Sequence, residues 1–307
     1  MKYSNMNDMP HKSRAVALGL FDSLHCGHLE VIKELLRVST LRNLIPTVQT
    51  FRDFYLKGDR TVMTVDERIR VFEELGVMDE LVLEFNSAFK DIEPEEFIEK
   101  YVIKGMNAEC VVVGSDYRFG KDGRGDTILL EQLLGKADIE LIVVPPVMTN
   151  SDTYNGKIST SLIKKLLDDG KVDEVCDLCN GRCYSYSGVI VGGNRIGRTL
   201  GFPTVNIIIS DDKYIVRRGV YLSVTRIEDK EYNSISNVGL KPTIEEKQKK
   251  VIIETHLYDF NENVYGKTAT VSLTEFIRDE MKFNGLEELQ KQVLLDKENG
   301  YRKHSVR

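Results

Sequence analysis

The stretch "AVALGLFDSLHCGHLEVIKELLRVS" (15–39) passes from an apolar run straight into a segment with helical spacing. The run 15–21 is typical of a buried strand, and the apolar residues of 29–39 recur every three or four positions, as on one face of a helix. Alternating strands and helices are the pattern of a parallel α/β sheet. The stretch therefore predicts an α/β domain with a strand-to-helix turn at His25 and His28.

His25 and His28 lie at the expected start of the helix, where backbone N–H groups lack intrahelical partners. Together with the helix dipole these groups favour an anion, and a phosphate is the expected ligand. Imidazoles beside it donate hydrogen bonds to oxygens on which negative charge builds when a nucleophile attacks the phosphorus. The alternatives are a metal centre, for which two histidines supply too few ligands, and an incidental surface pair.

The alternation of strands and helices continues up to about residue 168. Further strand-like runs are ELVLEF (80–85), CVVVG (110–114) and ELIVVPP (140–146). Further helical segments are TVDERIRVFEELG (64–76), EPEEFIEKYV (93–102) and STSLIKKLLDDG (159–170). In the first of these helices, Thr64 and Glu67 are placed as a capping box and Gly76 as the stop.

The second half of the chain is β-branched and punctuated by glycine. Its strand-like runs are YSGVIVGG (186–193), TVNIIIS (204–210), GVYLSVTRI (219–227), VIIETHLYDF (251–260) and KTATVSLTEF (267–276). Closely spaced strands without helices between them predict a small antiparallel barrel, and the apolar spacing of 286–293 predicts one closing helix. We expect a first domain over 1–170, a linker over 171–183 and a second domain over 184–307.

The composition is that of an ordinary globular protein. Hydrophobic residues make up 41% and charged residues 29% of 307 residues, enough for a core in each half. The net charge of −6 gives no electrostatic reason to expect a nucleic-acid partner. The start has no apolar leader and no later run approaches the length of a membrane span, so we expect a cytoplasmic protein without a membrane partner. The oligomeric state is left open.

Cys176, Cys179 and Cys183 form a C-x2-C-x3-C pattern, which raises a zinc or iron–sulfur interpretation. A fourth ligand is missing from the spacing, and five cysteines in a chain of this length are not typical of a disulfide framework. We expect small, half-buried thiols.

Two later segments add polar groups that suit a nucleotide. VVVGSDYRFG (111–120) is a buried-type strand that ends in a loop with Asp116 and Arg118, where open α/β sheets bind ligands. ISTSLIKK (158–165) offers hydroxyls at a helix start, with Lys164 one turn later. A charged turn and a simply capped helix are the respective alternatives.

Residues 14–183 resemble the adenylyltransferase half of the bacterial bifunctional riboflavin kinase/FAD synthetases, which belong to the nucleotidylyltransferase superfamily with its HxGH signature. The resemblance implies a Rossmann-like fold and transfer of AMP from ATP to FMN, which gives FAD and pyrophosphate. It implies that His25 and His28 are catalytic and contact the triphosphate. The nucleotide- and phosphate-binding residues that it implies are Asp116, Arg118, Ser159, Thr160 and Lys164.

Three motifs depart from the family pattern. Ser23 stands where FDGVH has glycine, and Arg52 and its neighbours replace the prolines and histidine of TFxPHP. Lys164 replaces the arginine of SSTxIR, whose planar fork a lysine lacks. These departures leave open an alternative, a monofunctional riboflavin kinase whose first domain keeps its fold and not its catalysis.

GGNRIGRTLGFPTVN (192–206) contains Gly192, Gly197 and Arg198 in an arrangement that nearly spells a P-loop. The P-loop lysine is absent, and Pro203 would break the helix that must follow. A glycine-rich flap between two barrel strands, whose backbone covers phosphates, is the better interpretation.

Thr204 and Asn206 alternate with apolar residues, so on a strand they share one face. Two neutral oxygen ligands suit Mg²⁺ that takes its other ligands from ATP phosphates and water. Glu254, inside the apolar run 251–260, is placed to accept the proton of an attacking hydroxyl. A half-polar barrel strand and a solvated outer face are the alternatives.

Residues 184–307 resemble a riboflavin kinase domain almost throughout. The motifs follow in family order as GFPTVN (201–206), RGVY (218–221), SNVGLKPT (236–243), YGK (265–267) and FIRDEMKF (276–283). The resemblance implies a Greek-key β-barrel with a closing helix and ATP-dependent phosphorylation of the riboflavin 5′-hydroxyl. It implies Mg²⁺–ATP at Thr204 and Asn206, Glu254 as general base and Arg278 near the flavin.

The leading hypothesis is a two-site enzyme that makes FMN from riboflavin in the barrel and FAD from FMN in the α/β domain, with ATP as co-substrate and Mg²⁺ as cofactor. The alternative from another class is a flavin-sensing regulator that binds FMN and controls a partner. Such a regulator needs an effector surface, for example a basic face, and the sequence shows none.

Overall fold

The computed structural model describes residues 1–52, 60–150, 154–192, 204–242 and 249–306. By its internal contacts the chain divides into two compact units, Met1–Thr160 and Ser161–Arg307. Each unit has its own six-stranded sheet within the described residues. In the same part of the chain, no helix is long and apolar enough to cross a membrane.

A parallel sheet forms the centre of the first unit. Its strands are β1 (Lys2–Tyr3), β2 (Arg14–Leu18), β3 (Ile45–Phe51), β4 (Asp79–Leu83), β5 (Ala108–Gly114) and β6 (Glu140–Val144), in the spatial order β1-β4-β3-β2-β5-β6. Val16 and Leu18 pack in one core cluster, whereas Ala15 and Ala17 pack in another. Strands buried on both faces are often continuous apolar runs, and β2, β4, β5 and β6 were predicted from such runs, whereas β1 and β3 were not.

Helices cover both faces of this sheet. They are α1 (Cys26–Arg42), α2 (Val65–Leu75), α3 (Ser87–Lys90), α4 (Pro94–Phe97), which continues as the π-helical segment Ile98–Gly105, and α5 (Thr127–Gly135). The predicted capping box of α2 is confirmed, because Thr64 Oγ1 accepts from the Glu67 N–H at 3.3 Å. Gly76 ends α2 with a φ of 99°. A hairpin of β7 (Met148–Asn150) and β8 (Asn155–Lys157) follows the sheet.

An antiparallel barrel forms the second unit. Two helices, α6 (Thr160–Asp168) and α7 (Val172–Leu178), precede its strands. The strands are β9 (Ser185–Val189), β10 (Thr204–Ile208), β11 (Gly219–Ile227), β12 (Lys230–Pro242), β13 (Lys249–Leu257) and β14 (Thr268–Asp279), in the order β10-β13-β12-β11-β14-β9. A bridge between Val191 and Asn206 joins the two ends of this sheet, so the barrel is nearly closed.

The predicted closing helix is α8 (Leu286–Val306). It docks on the barrel where the Tyr258 hydroxyl donates to the carbonyl of Lys297 at 3.0 Å. A parallel Rossmann-like unit followed by an antiparallel barrel with a closing helix confirms the predicted fold class.

The prediction of half-buried thiols is wrong for all three cysteines of the C-x2-C-x3-C pattern. Cys176 and Cys183 form a disulfide, and Cys179 is buried beside them outside that bond. The reason is local: Asn180 and Gly181 adopt left-handed φ values of 56° and 80°, which turn the chain back on itself after α7. Short-range backbone conformation therefore brings the two thiols together.

Candidate active sites

The strand-to-helix turn of the first unit arranges His25 and His28 as a stacked pair. His25 caps α1, because its Nδ1 accepts a hydrogen bond from the His28 backbone N–H at 3.2 Å. The two rings lie 3.8 Å apart between centroids and 13° from parallel. An Nδ1 that accepts this bond carries no proton, so in the neutral ring the proton is on Nε2, which is a donor.

Both imidazoles are neutral at physiological pH. Burial lowers the pKa of His25 to about 4, and a nearby Lys157 contributes to the same direction. Burial, the neighbouring ring and cationic side chains lower the pKa of His28 well below its ordinary value. The Nδ1 atom of His28 is buried and has no hydrogen-bond partner among the described residues, so it is available to a ligand.

Gly27, directly before His28, leaves room for the His25 ring. A Cβ at this position would lie 3.0 Å from Cε1 of the His25 ring. The glycine of the HxGH pattern therefore has a steric reason in this chain: a larger residue would push the imidazole away from its capping position.

The turn before the histidines is strained. Phe21 and Leu24 are buried, and both adopt the left-handed region, with φ values of 55° and 44°. This conformation costs roughly 1–2 kcal/mol for each non-glycine residue. Ser23, which replaces the family glycine, lies between them and places its Oγ 3.2 Å from Oγ1 of Thr160.

A charged pair lies beside the histidines. Lys157 Nζ is 2.5 Å from Asp116 Oδ2, and both charges act on the pKa of His25. Asp116 was predicted as a site residue, whereas Lys157 was not. The signal for Lys157 was its position directly before the Ile158-Ser159 segment, but the β7–β8 hairpin that brings it to Asp116 was not recognisable from periodicity.

The other residues predicted for this site have different surroundings. Arg118 is 62% exposed and pairs with Asp126 at 3.6 Å. Ser159 is half-buried directly before α6. Lys164 lies in the second unit, with Nζ 5.3 Å from the centroid of the Tyr214 ring.

The barrel brings Thr204, Asn206 and Glu254 together on one face. Register pairs Asn206 of β10 with Glu254 of β13, and the Thr204 hydroxyl donates to Glu254 Oε1 at 2.9 Å. Asn206 is 2% exposed. On the other side of Glu254, register pairs it with Asn237 of β12. Sequence reasoning quoted Asn237 only within a motif, because no strand was predicted there.

The predicted flap begins next to this cluster. The Val191 N–H donates to the Asn206 carbonyl at 2.9 Å, and Gly192 follows as an exposed residue. Gly197 and Arg198 lie outside the described residues.

Arg278 lies on the same barrel but is engaged by the closing helix. Its guanidinium forms hydrogen bonds to both carboxylate oxygens of Asp296 on α8, the shortest at 2.5 Å. Register places Arg278 opposite Val220, which in turn lies opposite Asn237. Arg278 therefore ends a row of cross-strand neighbours that starts at the Glu254 cluster.

Comparison with known proteins assigns a class to each unit. The profile described as FAD synthetase matches residues 7–161, and the profile described as riboflavin kinase matches residues 180–303. The chain thus combines a nucleotidyltransferase unit and a kinase unit.

Curated relatives match almost the whole chain. The bifunctional riboflavin kinase/FMN adenylyltransferase of Bacillus subtilis (strain 168) is 33% identical over 94% of this chain and 91% of the relative. The enzyme of Listeria monocytogenes is 30% identical over 94% of this chain and 91% of the relative. The enzyme of Escherichia coli (strain K12) is 28% identical over 95% of this chain and 93% of the relative. The chain belongs to the bifunctional riboflavin kinase/FMN adenylyltransferase family, which confirms the family predicted from the sequence.

A solved structure has the same fold. A crystal structure described as a macrolide-efflux protein from Streptococcus pneumoniae superposes with a TM-score of 0.84 at 31% identity and covers 97% of both chains.

Proposed function

We propose that this chain makes FAD from riboflavin in two ATP-dependent steps, each in its own unit. The barrel phosphorylates riboflavin to FMN, and the parallel α/β unit adenylylates FMN with release of pyrophosphate. The observation that carries the proposal is that each unit has its own cluster suited to phosphate chemistry: neutral histidines at a helix start in one, and an acid beside two neutral oxygen donors in the other.

The adenylylation step uses the His25–His28 pair without a covalent intermediate. An oxygen of the FMN phosphate attacks the α-phosphorus of ATP, a new P–O bond forms, and the bond to the β-phosphate oxygen breaks. The Nε2–H of His25 and the first N–H groups of α1 donate to oxygens that gain charge in this step. Lys157 supplies a cation beside the leaving pyrophosphate.

The kinase step uses Glu254 as the general base. Glu254 accepts the proton of the riboflavin 5′-hydroxyl while that oxygen attacks the γ-phosphorus, and ADP leaves. The hydrogen bond from Thr204 orients the carboxylate, and Asn206 and Asn237 confine it from the neighbouring strands. As in phosphoryl transfer generally, positioning and charge neutralisation provide most of the rate.

Magnesium fits the barrel site only together with ATP. Within the described residues, no group of three or more His, Cys, Asp or Glu side chains is arranged to bind a metal. The oxygens of Thr204 and Asn206 are neutral and few, which is the donor set of a cation that takes its remaining ligands from phosphates and water. When bound, the ion neutralises phosphate charge at the point of transfer.

Purified protein incubated with ATP, Mg²⁺ and either riboflavin or FMN tests the proposal, with flavins resolved by chromatography. We expect FMN and then FAD from riboflavin, and FAD from FMN. His28→Ala should abolish FAD formation and leave FMN formation intact. FMN without FAD from wild-type protein would instead select the monofunctional kinase, and FAD that survives His28→Ala would refute the assignment of the adenylylation site.

A further inference from the structure

Arg68 is a fully buried cation at the edge of the sheet where the histidine turn begins. It extends from α2 and is 0% exposed. Its guanidinium donates to the carbonyls of Leu20 and Phe51, the latter at 2.7 Å, and to Oγ1 of Thr50 at 2.8 Å. One side chain therefore ties together the carboxyl ends of two adjacent strands.

These contacts fall next to the strained part of the turn. Leu20, whose carbonyl also accepts from Thr50 Oγ1 at 2.9 Å, directly precedes Phe21 in its left-handed conformation. The Phe21 ring in turn contacts His28 edge-to-face, with centroids 5.4 Å apart. A strained segment persists only where its surroundings impose it, and Arg68 is one of the groups that impose this one.

The charge of Arg68 also reaches the histidines. The groups that face His28 are the His25 ring from the start of α1, Arg68 from α2 and Lys157 from β8, the last paired with Asp116. After burial, which has the largest effect, His25, Arg68 and Lys157 each lower the pKa of His28. Arg68 thus acts on the histidine through two routes, the shape of the turn and its fixed positive charge.

We infer that Arg68 is a positioning residue for adenylyl transfer: it holds the Leu20–Leu24 turn in its strained form and places a fixed positive charge near His28. The inference rests on the proposed adenylylation at this site. It adds a residue that does not touch the reacting atoms and that the sequence motifs do not include.

The test compares Arg68→Met, which removes the charge and the hydrogen bonds, with Arg68→Lys, which keeps the charge. Arg70→Met is the matched control, because Arg70 is exposed on the same helix. FAD formation from FMN is measured from about pH 4 to about pH 9, so that an acid limb that moves to higher pH is recorded. Riboflavin phosphorylation by the same samples reports that the chain is folded.

We expect Arg68→Met to lower kcat for FAD formation about 10- to 100-fold. The acid limb of its pH profile should move to higher pH, because His28 is then more easily protonated. Arg68→Lys should keep the wild-type acid limb and recover part of the rate. Arg70→Met should match wild type in both reactions.

An NMR titration of the His28 ring, assigned from the signal lost in His28→Ala, gives a readout that does not depend on turnover. A higher ring pKa in Arg68→Met supports the inference. The inference would be overturned if the pKa of the His28 ring did not move, or if the rate fell uniformly while the acid limb stayed in place. Arg68 would then be a stabilising residue only. Wild-type protein that forms no FAD at any pH would refute the proposed adenylylation instead, and the titration would still decide the role of Arg68.

Discussion

The two candidate sites are positioned by different means. The histidine pair depends on a turn with two buried left-handed residues and on side chains that reach it from α2 and β8. Glu254 depends on sheet register, which places Asn206 and Asn237 on either side of it. A site on regular strands follows from alternation along the chain, whereas a site on a turn depends on a few long-range contacts. Substitutions that separate the two activities test this contrast.

The largest expected effect is on the strand-built site. Glu254→Gln removes the base and keeps the volume, so riboflavin phosphorylation should fall by about 100-fold or more. FAD formation from added FMN should not change. Assays of both reactions on one preparation check this, and phosphorylation at the wild-type rate would remove Glu254 from the mechanism.

A buried acid makes the stability of the first unit depend on pH. Burial is the main reason that the pKa of Glu80 is raised from 4.5 to about 7, and Glu73 and Asp79 act in the same direction. The folded state therefore binds more protons than the unfolded chain between these values. The contribution of Glu80 to stability is largest below pH 4.5 and is lost as the pH rises through about 7.

Glu80→Gln cannot ionise and should raise the free energy of unfolding near pH 8 by up to about 3 kcal/mol. The difference from wild type should vanish toward pH 4.5. Denaturant unfolding of the full chain at several pH values measures this difference in the free energy of unfolding. A constant difference across that range would contradict the raised pKa.

The turn-built site should be sensitive to one methyl group. In Gly27→Ala the new Cβ meets the His25 ring at 3.0 Å, so the imidazole must move. We expect FAD formation to fall about 10- to 100-fold. Gly135→Ala is the control, because a Cβ there meets no atom of the described residues within 4 Å. Equal rates in both variants would show that the turn tolerates displacement of His25.

The closing helix gives a comparable test in the second unit. A Cβ at Gly300 would overlap the hydroxyl of Tyr258, which is buried and bonded to α8. Overpacking should outweigh the gain in helix propensity and destabilise the barrel by about 1 kcal/mol. Gly285→Ala serves as the control in thermal unfolding followed by kinase activity, because a Cβ there lies more than 4 Å from every neighbour that the structure describes.

The smallest effect concerns the family glycine that is a serine in this chain. Ser23→Gly removes the contact between Ser23 Oγ and Thr160 Oγ1. FAD formation should change by less than about threefold, the equivalent of a single neutral hydrogen bond. A much larger gain in rate would show that the serine side chain hinders the nucleotide.

Periodicity was sufficient for the longer helices and for most barrel strands, and it failed for several strands, of which β12 is the longest. β12 was not predicted, because its inward positions include Ser234 and Ser236 in place of apolar residues. Inside the barrel these hydroxyls bond to Ser223 at 2.8 and 2.7 Å, and Ser236 bonds to Thr255 at 2.8 Å. A strand whose buried face is polar has no apolar alternation, and only its neighbours show that it is buried.

The sequence by itself determined the family, the order of the two units and the residue types at each site, because motifs and alternation are local properties of the chain. Only the tertiary structure decided that His25 and His28 are neutral and that Lys157 lies against Asp116. Protonation depends on burial and on charges brought close by packing. Those distances are set by segments far apart in the chain, and no local pattern encodes them.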